Sequence, residues 1–189
     1  MSNYNETAII LSKPTLPLTG FRAYIFQITL VGAAVILPLI AHLSGAPVRY
    51  LLPMHWPVIL AGLVYGWRSG ALTGFLAPII SYSISGFPFP GILPSITLEL
   101  LTYGLVAGFL RERSALNPWL SVAIALVAGR AVFIGFVLLG NVVTSNHLEY
   151  FQAALLPGLT ACVGQIALLP LLANWWVRQE QRDRVNTKG

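Results

Sequence analysis

Apolar residues occur along this chain in long runs separated by short polar or basic segments. A helix that crosses the hydrocarbon core of a bilayer needs about 20 apolar residues, within a range of about 17–25. The runs therefore predict six membrane-spanning helices. The second run is short and contains Pro57, so five spans are the alternative. The predicted spans are 24–44, 53–66, 69–86, 92–110, 118–140 and 148–177.

The composition supports a membrane protein. Of the 189 residues, 56% are hydrophobic and 9% are charged, whereas soluble domains carry about 25% charged residues. The expected fold class is an all-α integral membrane protein, a bundle of six transmembrane helices. The chain is too short for two membrane domains of ordinary size, so we expect a single bundle.

The basic residues predict how the bundle is oriented, because cytoplasmic loops are enriched in Lys and Arg. With six spans, only Arg49 lies in the loops on one side, and nine basic residues lie on the other. Both termini are therefore expected in the cytoplasm, and the net charge of +5 is explained without nucleic acid as a partner. The nine residues are Lys13, Arg22, Arg68, Arg111, Arg113, Arg178, Arg182, Arg184 and Lys188.

The chain divides into three predicted parts. Residues 1–22 form a cytoplasmic or interfacial segment with no cleavable signal peptide, 23–177 form the membrane domain, and 178–189 form a basic cytoplasmic tail. Cys162 is the only cysteine, so an intramolecular disulfide is excluded, and no Cys/His spacing predicts a metal site. No cofactor is expected. The chain has no GxxxxGK[ST] sequence, which excludes ATP binding of the P-loop kind.

Glu99 and Arg130 lie deep inside predicted spans four and five. A charge at mid-membrane costs about 2.5–3.5 kcal/mol on insertion scales, so such residues face the bundle interior, pair, or mark a substrate path. Two interpretations are open. The two residues form a buried ion pair that fixes helix register, or they line an outward-facing pocket in which Arg130 holds an anionic group.

Five further residues are candidate substrate contacts. His55 and Trp56 lie at the outer start of span two, and Tyr82 lies near the outer end of span three. Ser95 and Tyr103 lie four residues before and after Glu99, so they share its helix face. For His55 and Trp56, a role as polar and aromatic anchors at the membrane interface is the alternative.

Small residues predict where helices pack closely, because membrane helices associate through such residues. Stripes of glycine in spans two to four are expected to mediate packing within the bundle: Gly62, Gly66, Gly70, Gly74, Gly104 and Gly108. Span one carries Ala33, Ala34 and Ala41, which we expect to dock another membrane subunit.

Two sequence pieces carry a family resemblance: the stretch from His55-Trp56-Pro57 to Ala61-Gly62, and Glu99-Leu100-Leu101-Thr102-Tyr103-Gly104. With Gly129-Arg130 further on, they make residues 24–176 resemble the substrate-binding S component of the energy-coupling-factor (ECF) vitamin transporters. The resemblance implies a six-helix bundle that binds a water-soluble vitamin or related micronutrient from the outer side.

The resemblance also implies partners: a transmembrane coupling (T) subunit, which contacts small residues of the first helix, and a pair of cytoplasmic ATPases. In the family this contact is commonly Ala-x-x-x-Ala, but here Pro38 follows Ala34 at that spacing. The expected location is a bacterial or archaeal cell membrane. An envelope scaffold and an intramembrane enzyme that uses His55 or Glu99 as a base are the alternatives. Of these three functions, we expect the non-enzymatic transport subunit.

Overall fold

The computed structural model describes residues 14–140 and 146–186, and within these ranges every regular element is a helix. The first five predicted spans correspond to observed helices, with ends that differ by three residues or fewer. The helices are α1 (Phe21–Leu43), α2 (Val48–Leu51), α3 (His55–Tyr65), α4 (Trp67–Ser85), α5 (Leu93–Arg113), α6 (Pro118–Leu139), α7 (His147–Leu155) and α8 (Gly158–Asn186).

Six of the eight described helices form a membrane bundle, and the other two, α2 and α7, are short. Within the described ranges, four segments are long and apolar enough to cross a membrane: α1, α5, α6 and the α7–α8 region. The helix α3 has 11 residues, which gives it a length of only about 16 Å. It nevertheless lies inside the bundle, since Val58, Ile59, Ala61, Leu63 and Val64 are all fully buried.

The short α3 is the centre of the structure, because α1, α4, α5 and α8 all pack against it. A helix surrounded by protein does not have to match the thickness of the bilayer, because its ends are not exposed to lipid. At one end, Gly66 adopts a positive φ of 84° and separates α3 from α4. The Val64 carbonyl of the last turn accepts a hydrogen bond from the Leu16 amide at 2.7 Å.

Glycines bring α3, α4 and α5 into backbone contact. A Cβ built on Gly62 would lie 2.5 Å from the Gly104 carbonyl oxygen, and a Cβ on Gly104 would overlap the backbone of Gly70. Gly74 and Gly108 are equally close to the backbones of facing helices. The predicted glycine stripes therefore mediate packing within the bundle.

The last predicted span differs from the structure at both ends. A turn at residues 156–157, which contains Pro157, divides it into α7 and α8. At the other end the helix does not stop at 177 but continues to Asn186, and Glu180 is buried there.

The two ends of the bundle differ in charge and in structure. At the basic end, Arg22 pairs with Glu180 at 3.8 Å, and Arg111 donates to Asn174 at 2.9 Å. The opposite end carries α2, α7 and the aromatic loop between α4 and α5.

Candidate functional site

Glu99 and Arg130 form a buried ion pair between α5 and α6. Arg130 Nη1 lies 2.9 Å from Glu99 Oε1, and the two side chains are 18% and 3% exposed. The Tyr103 hydroxyl donates to the same carboxylate oxygen at 2.6 Å, from one turn further along α5. The structure contains the ion pair that one of the two interpretations from the sequence describes, and Tyr103 joins it.

His55 lies on the other side of this pair, at the first turn of α3. Its Nε2 is 4.0 Å from Glu99 Oε1, and its ring centroid is 5.2 Å from that of Tyr103. Among the described residues, neither ring nitrogen of His55 has a hydrogen-bond partner, although the side chain is buried. His55 therefore contributes buried polar atoms that no described residue satisfies.

Glycines on two helices make room for this cluster. A Cβ on Gly129 would overlap the ring of Tyr103. The glycine therefore lets the tyrosine ring pack directly against the backbone of α6. A Cβ on Gly158 would lie 2.7 Å from Arg130 Nη2 and 3.1 Å from Leu52 Cδ1. The start of α8, directly after the turn at 156–157, therefore packs closely against the guanidinium of Arg130.

The second terminal nitrogen of Arg130 is the most informative atom of the site. Arg130 Nη2 is buried and has no hydrogen-bond partner among the described residues. Buried polar atoms are almost always partnered in folded proteins. Arg130 therefore has one nitrogen held by Glu99 and a second one available for an acceptor that the described chain does not provide.

Gln165 adds to the set of unsatisfied groups. It is fully buried, and in the described chain neither its Oε1 nor its Nε2 has a partner. Gly158, Cys162 and Gln165 follow one another at helical spacings of four and three, so they share one face of α8. Gly158 on this face lies against Arg130, as described above.

A cavity of about 300 Å³ lies beside the cluster, at the opposite end of the bundle. His42 and Phe87 stack on its rim with ring centroids 4.8 Å apart. His55 and Leu52 belong both to the cavity wall and to the surroundings of the ion pair. Most of the other lining residues are apolar, among them Phe89, Ile92 and Ile96.

Leu52 lines the cavity and, like Arg130, lies close to Gly158. It adopts a left-handed backbone conformation, with φ 45° and ψ 56°, directly after α2. This conformation is uncommon for residues other than glycine. The apolar side chain of Leu52, which lies near Gly158 and lines the cavity, is therefore held by a strained turn.

The remaining predicted site residues are not part of the cluster. Trp56 Nε1 donates to the Leu51 carbonyl at 2.8 Å, so it braces the turn that carries Leu52. Ser95 is buried, but its hydroxyl donates to the Ile92 carbonyl at 2.8 Å on its own helix. Tyr82 is 36% exposed on α4 and does not line the cavity.

The alanines of α1 lie on two different faces. Ala34 and Ala41 are buried in the bundle, so their side chains are covered by the chain itself. Ala33 is half-buried, and a Cβ added to the neighbouring Gly32 would meet no atom within 4 Å. The accessible small surface of α1 is therefore Gly32 and Ala33.

Sequence reasoning did not select Leu52, Gly158 or Gln165 as site residues. A glycine after a proline and an aliphatic residue in a loop carry no chemical signal of their own. The amide of Gln165 has no partner among the described residues, which only the structure can show.

The model of one protein family matches residues 21–176, and it describes the substrate-specific component of an ECF transporter. The match covers the whole bundle from α1 to most of α8, including the ion pair. The chain belongs to this family. No curated protein and no solved structure matches the chain.

This S component is a multi-pass integral membrane protein and a substrate-specific subunit of a transporter. The family is defined by substrate binding for transport and is not an enzyme family. Proteins of this kind work with a T subunit and ATPases and bind small substrates.

Proposed function

We propose that this S component captures a small anionic, vitamin-like solute and that Arg130 holds its carboxylate or phosphate. The proposal rests on the two terminal nitrogens of Arg130, which differ in their partners. Nη1 binds Glu99 at 2.9 Å, and Nη2 is buried without a partner in the described chain. A guanidinium is suited to anionic oxygens because its donors form a planar fork.

Glu99 and Tyr103 act in this proposal as positioning residues. The Glu99 carboxylate is the counterion of the buried guanidinium of Arg130. The Tyr103 hydroxyl donates to this carboxylate and so fixes its orientation. The guanidinium is thus fixed before the ligand arrives, which lowers the entropy cost of binding. His55 and Gln165 supply further polar atoms for neutral hydroxyl or amide groups of the ligand.

The cavity is the proposed entry and holds the less polar part of the ligand. Its volume of about 300 Å³ is at the lower end of the range for small-molecule sites. The anionic group reaches Arg130 when Leu52 moves out of its strained turn. Trp56, which binds the Leu51 carbonyl, then determines how far this turn can move.

The orientation follows from the basic end. If that end faces the cytoplasm, as the distribution of Lys and Arg predicts, the cavity opens to the outer side of a bacterial or archaeal cell membrane. A T subunit and a pair of ATPases supply the energy for release to the inside. We propose the face of α1 with Gly32 and Ala33 as the contact with the T subunit, because these small residues are accessible.

The test is binding of a defined vitamin panel to the purified full-length chain in detergent, followed by native mass spectrometry and calorimetry. The panel includes biotin, pantothenate, nicotinate, folate and pyridoxal phosphate as anions, riboflavin as a neutral ligand and thiamine as a cation. We expect one or more anions to bind and riboflavin and thiamine not to bind. Binding of riboflavin or thiamine alone, or of no panel member by a folded protein, would contradict the proposal.

A further inference from the structure

A groove of about 390 Å³ lies at the basic end between the start of α6 and the stretch of α8 from Leu171 to Arg182. Trp119 of α6 and Trp175 of α8 lie along it, together with Arg178 and Arg182. The two tryptophans are 38% and 63% exposed. This groove lies at the other end of the bundle from the ion pair and its cavity.

Among the described residues, Arg178 and Arg182 of the groove have no acidic partner. Arg22 and Arg184 at the same end both pair with Glu180, whereas no ion pair within residues 14–140 and 146–186 involves Arg178 or Arg182. The two are four residues apart on one helix, so both guanidiniums lie on the same face. A half-buried third arginine, Arg111, donates to Asn174 in the groove wall at 2.9 Å.

The face of α8 that carries Arg178 and Arg182 changes from apolar to basic along the helix. This order matches a phospholipid, in which apolar acyl chains lead to a charged headgroup. Leu168, Leu171 and Trp175 are each at least half exposed, and Arg178 and Arg182 follow them towards the helix end. Leu171 and Arg178 are seven residues apart, or roughly 10 Å along the helix axis. Tryptophan is enriched at the level where acyl chains meet headgroups, so the arginines lie at headgroup level.

We propose that this groove binds the headgroup of an anionic phospholipid. Arg178 and Arg182 contact the phosphate, Trp119 and Trp175 flank the glycerol region, and the acyl chains follow the exposed leucines of α8. Basic pockets between helices on the cytoplasmic side are a recognised arrangement for acidic lipids. The proposal does not depend on the solute that the S component captures.

The test compares lipid binding of the full-length chain and an Arg178→Gln, Arg182→Gln double variant by native mass spectrometry. Dioleoylphosphatidylglycerol and dioleoylphosphatidylcholine are added separately at equal concentration. We expect phosphatidylglycerol to bind more tightly than phosphatidylcholine, and the double variant to lose this preference, with roughly a fivefold loss of affinity per arginine. An Arg178→Lys, Arg182→Lys variant should keep most of the preference, because the positive charge remains.

The matched control is Arg68→Gln, Arg113→Gln, which removes the same charge from exposed positions at the same end. It should bind phosphatidylglycerol as the unmodified chain does. An equal loss in both double variants would overturn the proposal, because it would show attraction by net charge alone. Complete displacement of the lipid by inorganic phosphate would also overturn it, because the site would then be one for free phosphate.

Discussion

Two buried polar clusters of this bundle differ in how many of their polar atoms have a partner in the described chain. Between α1 and α4, Gln27 Nε2 donates to Thr73 Oγ1 at 2.9 Å, its Oε1 accepts from the Ser69 hydroxyl, and Thr73 donates in turn to the Ser69 carbonyl. We call this the closed cluster, because its side-chain amide and hydroxyls are all partnered. Around Arg130, the open cluster leaves Arg130 Nη2 and both nitrogens of His55 without a partner in the described chain.

We propose that this difference distinguishes a structural role from a binding role. A satisfied buried hydrogen bond contributes about 1 kcal/mol, whereas a buried polar group left without a partner costs about 1–3 kcal/mol. The closed cluster therefore joins two helices at no net cost. The open cluster is retained at a cost to stability, which is the pattern expected of a binding site.

The largest expected effect is the loss of Glu99. Glu99→Ala leaves Arg130 as a buried charge without its counterion, so we expect the free energy of unfolding to fall by about 3–5 kcal/mol. Unfolding in mixed detergent micelles measures it. Glu112→Ala, which removes an exposed carboxylate from the same helix and with it one hydrogen bond from the Trp67 amide, is the control and should lower the free energy of unfolding by only about 1 kcal/mol. Equal losses in the two variants would show that the ion pair is not the reason.

A smaller effect is expected in the closed cluster. Gln27→Ala removes the amide that joins Ser69 to Thr73, and the free energy of unfolding should fall by about 1–3 kcal/mol. The affinity for the anionic ligand should not change, because Gln27 contacts neither the cavity nor the ion pair. Calorimetry with the ligand found in the panel checks this. A loss of affinity as large as that of an open-cluster variant would remove the distinction between the clusters.

His55→Leu should affect stability least and in the other direction. Replacing a buried group that lacks hydrogen bonds with an apolar one of similar size is neutral or stabilising, by up to about 1 kcal/mol. Ligand affinity should nevertheless fall, because the ring lines the cavity next to Glu99. Thermal unfolding with and without ligand measures both quantities. If the variant were destabilised and its affinity for the ligand unchanged, His55 would have a role in the packing of the core and none in binding.

The helices could be predicted from hydropathy, but the break before α8 could not. Pro38, Pro78 and Pro170 all lie inside continuous helices, whereas Pro157 ends one. In membrane bundles, neighbouring helices can satisfy the backbone groups that a proline frees. Whether a proline breaks its helix therefore depends on its tertiary contacts, which hydropathy does not show.

The charged centre of the candidate site could also be predicted, because charges inside apolar spans are rare and costly. Tyr103 followed from its helical spacing to Glu99. Tyr82 and Ser95 did not join the cluster, since a position near the correct depth does not fix the direction of a side chain. Leu52 could not be predicted, because its place depends on a turn conformation and on a contact between distant parts of the chain.

The most direct test of the central claim is the affinity of Arg130→Lys for the anionic ligand. The lysine keeps the charge beside Glu99, so the fold should remain stable, but it cannot offer two nitrogens in a planar fork. We expect the dissociation constant, measured by calorimetry, to rise at least about tenfold. In Arg113→Lys, at the basic end, it should be unchanged. An Arg130→Lys variant that is stable and binds the ligand as tightly as the unmodified chain would contradict the account.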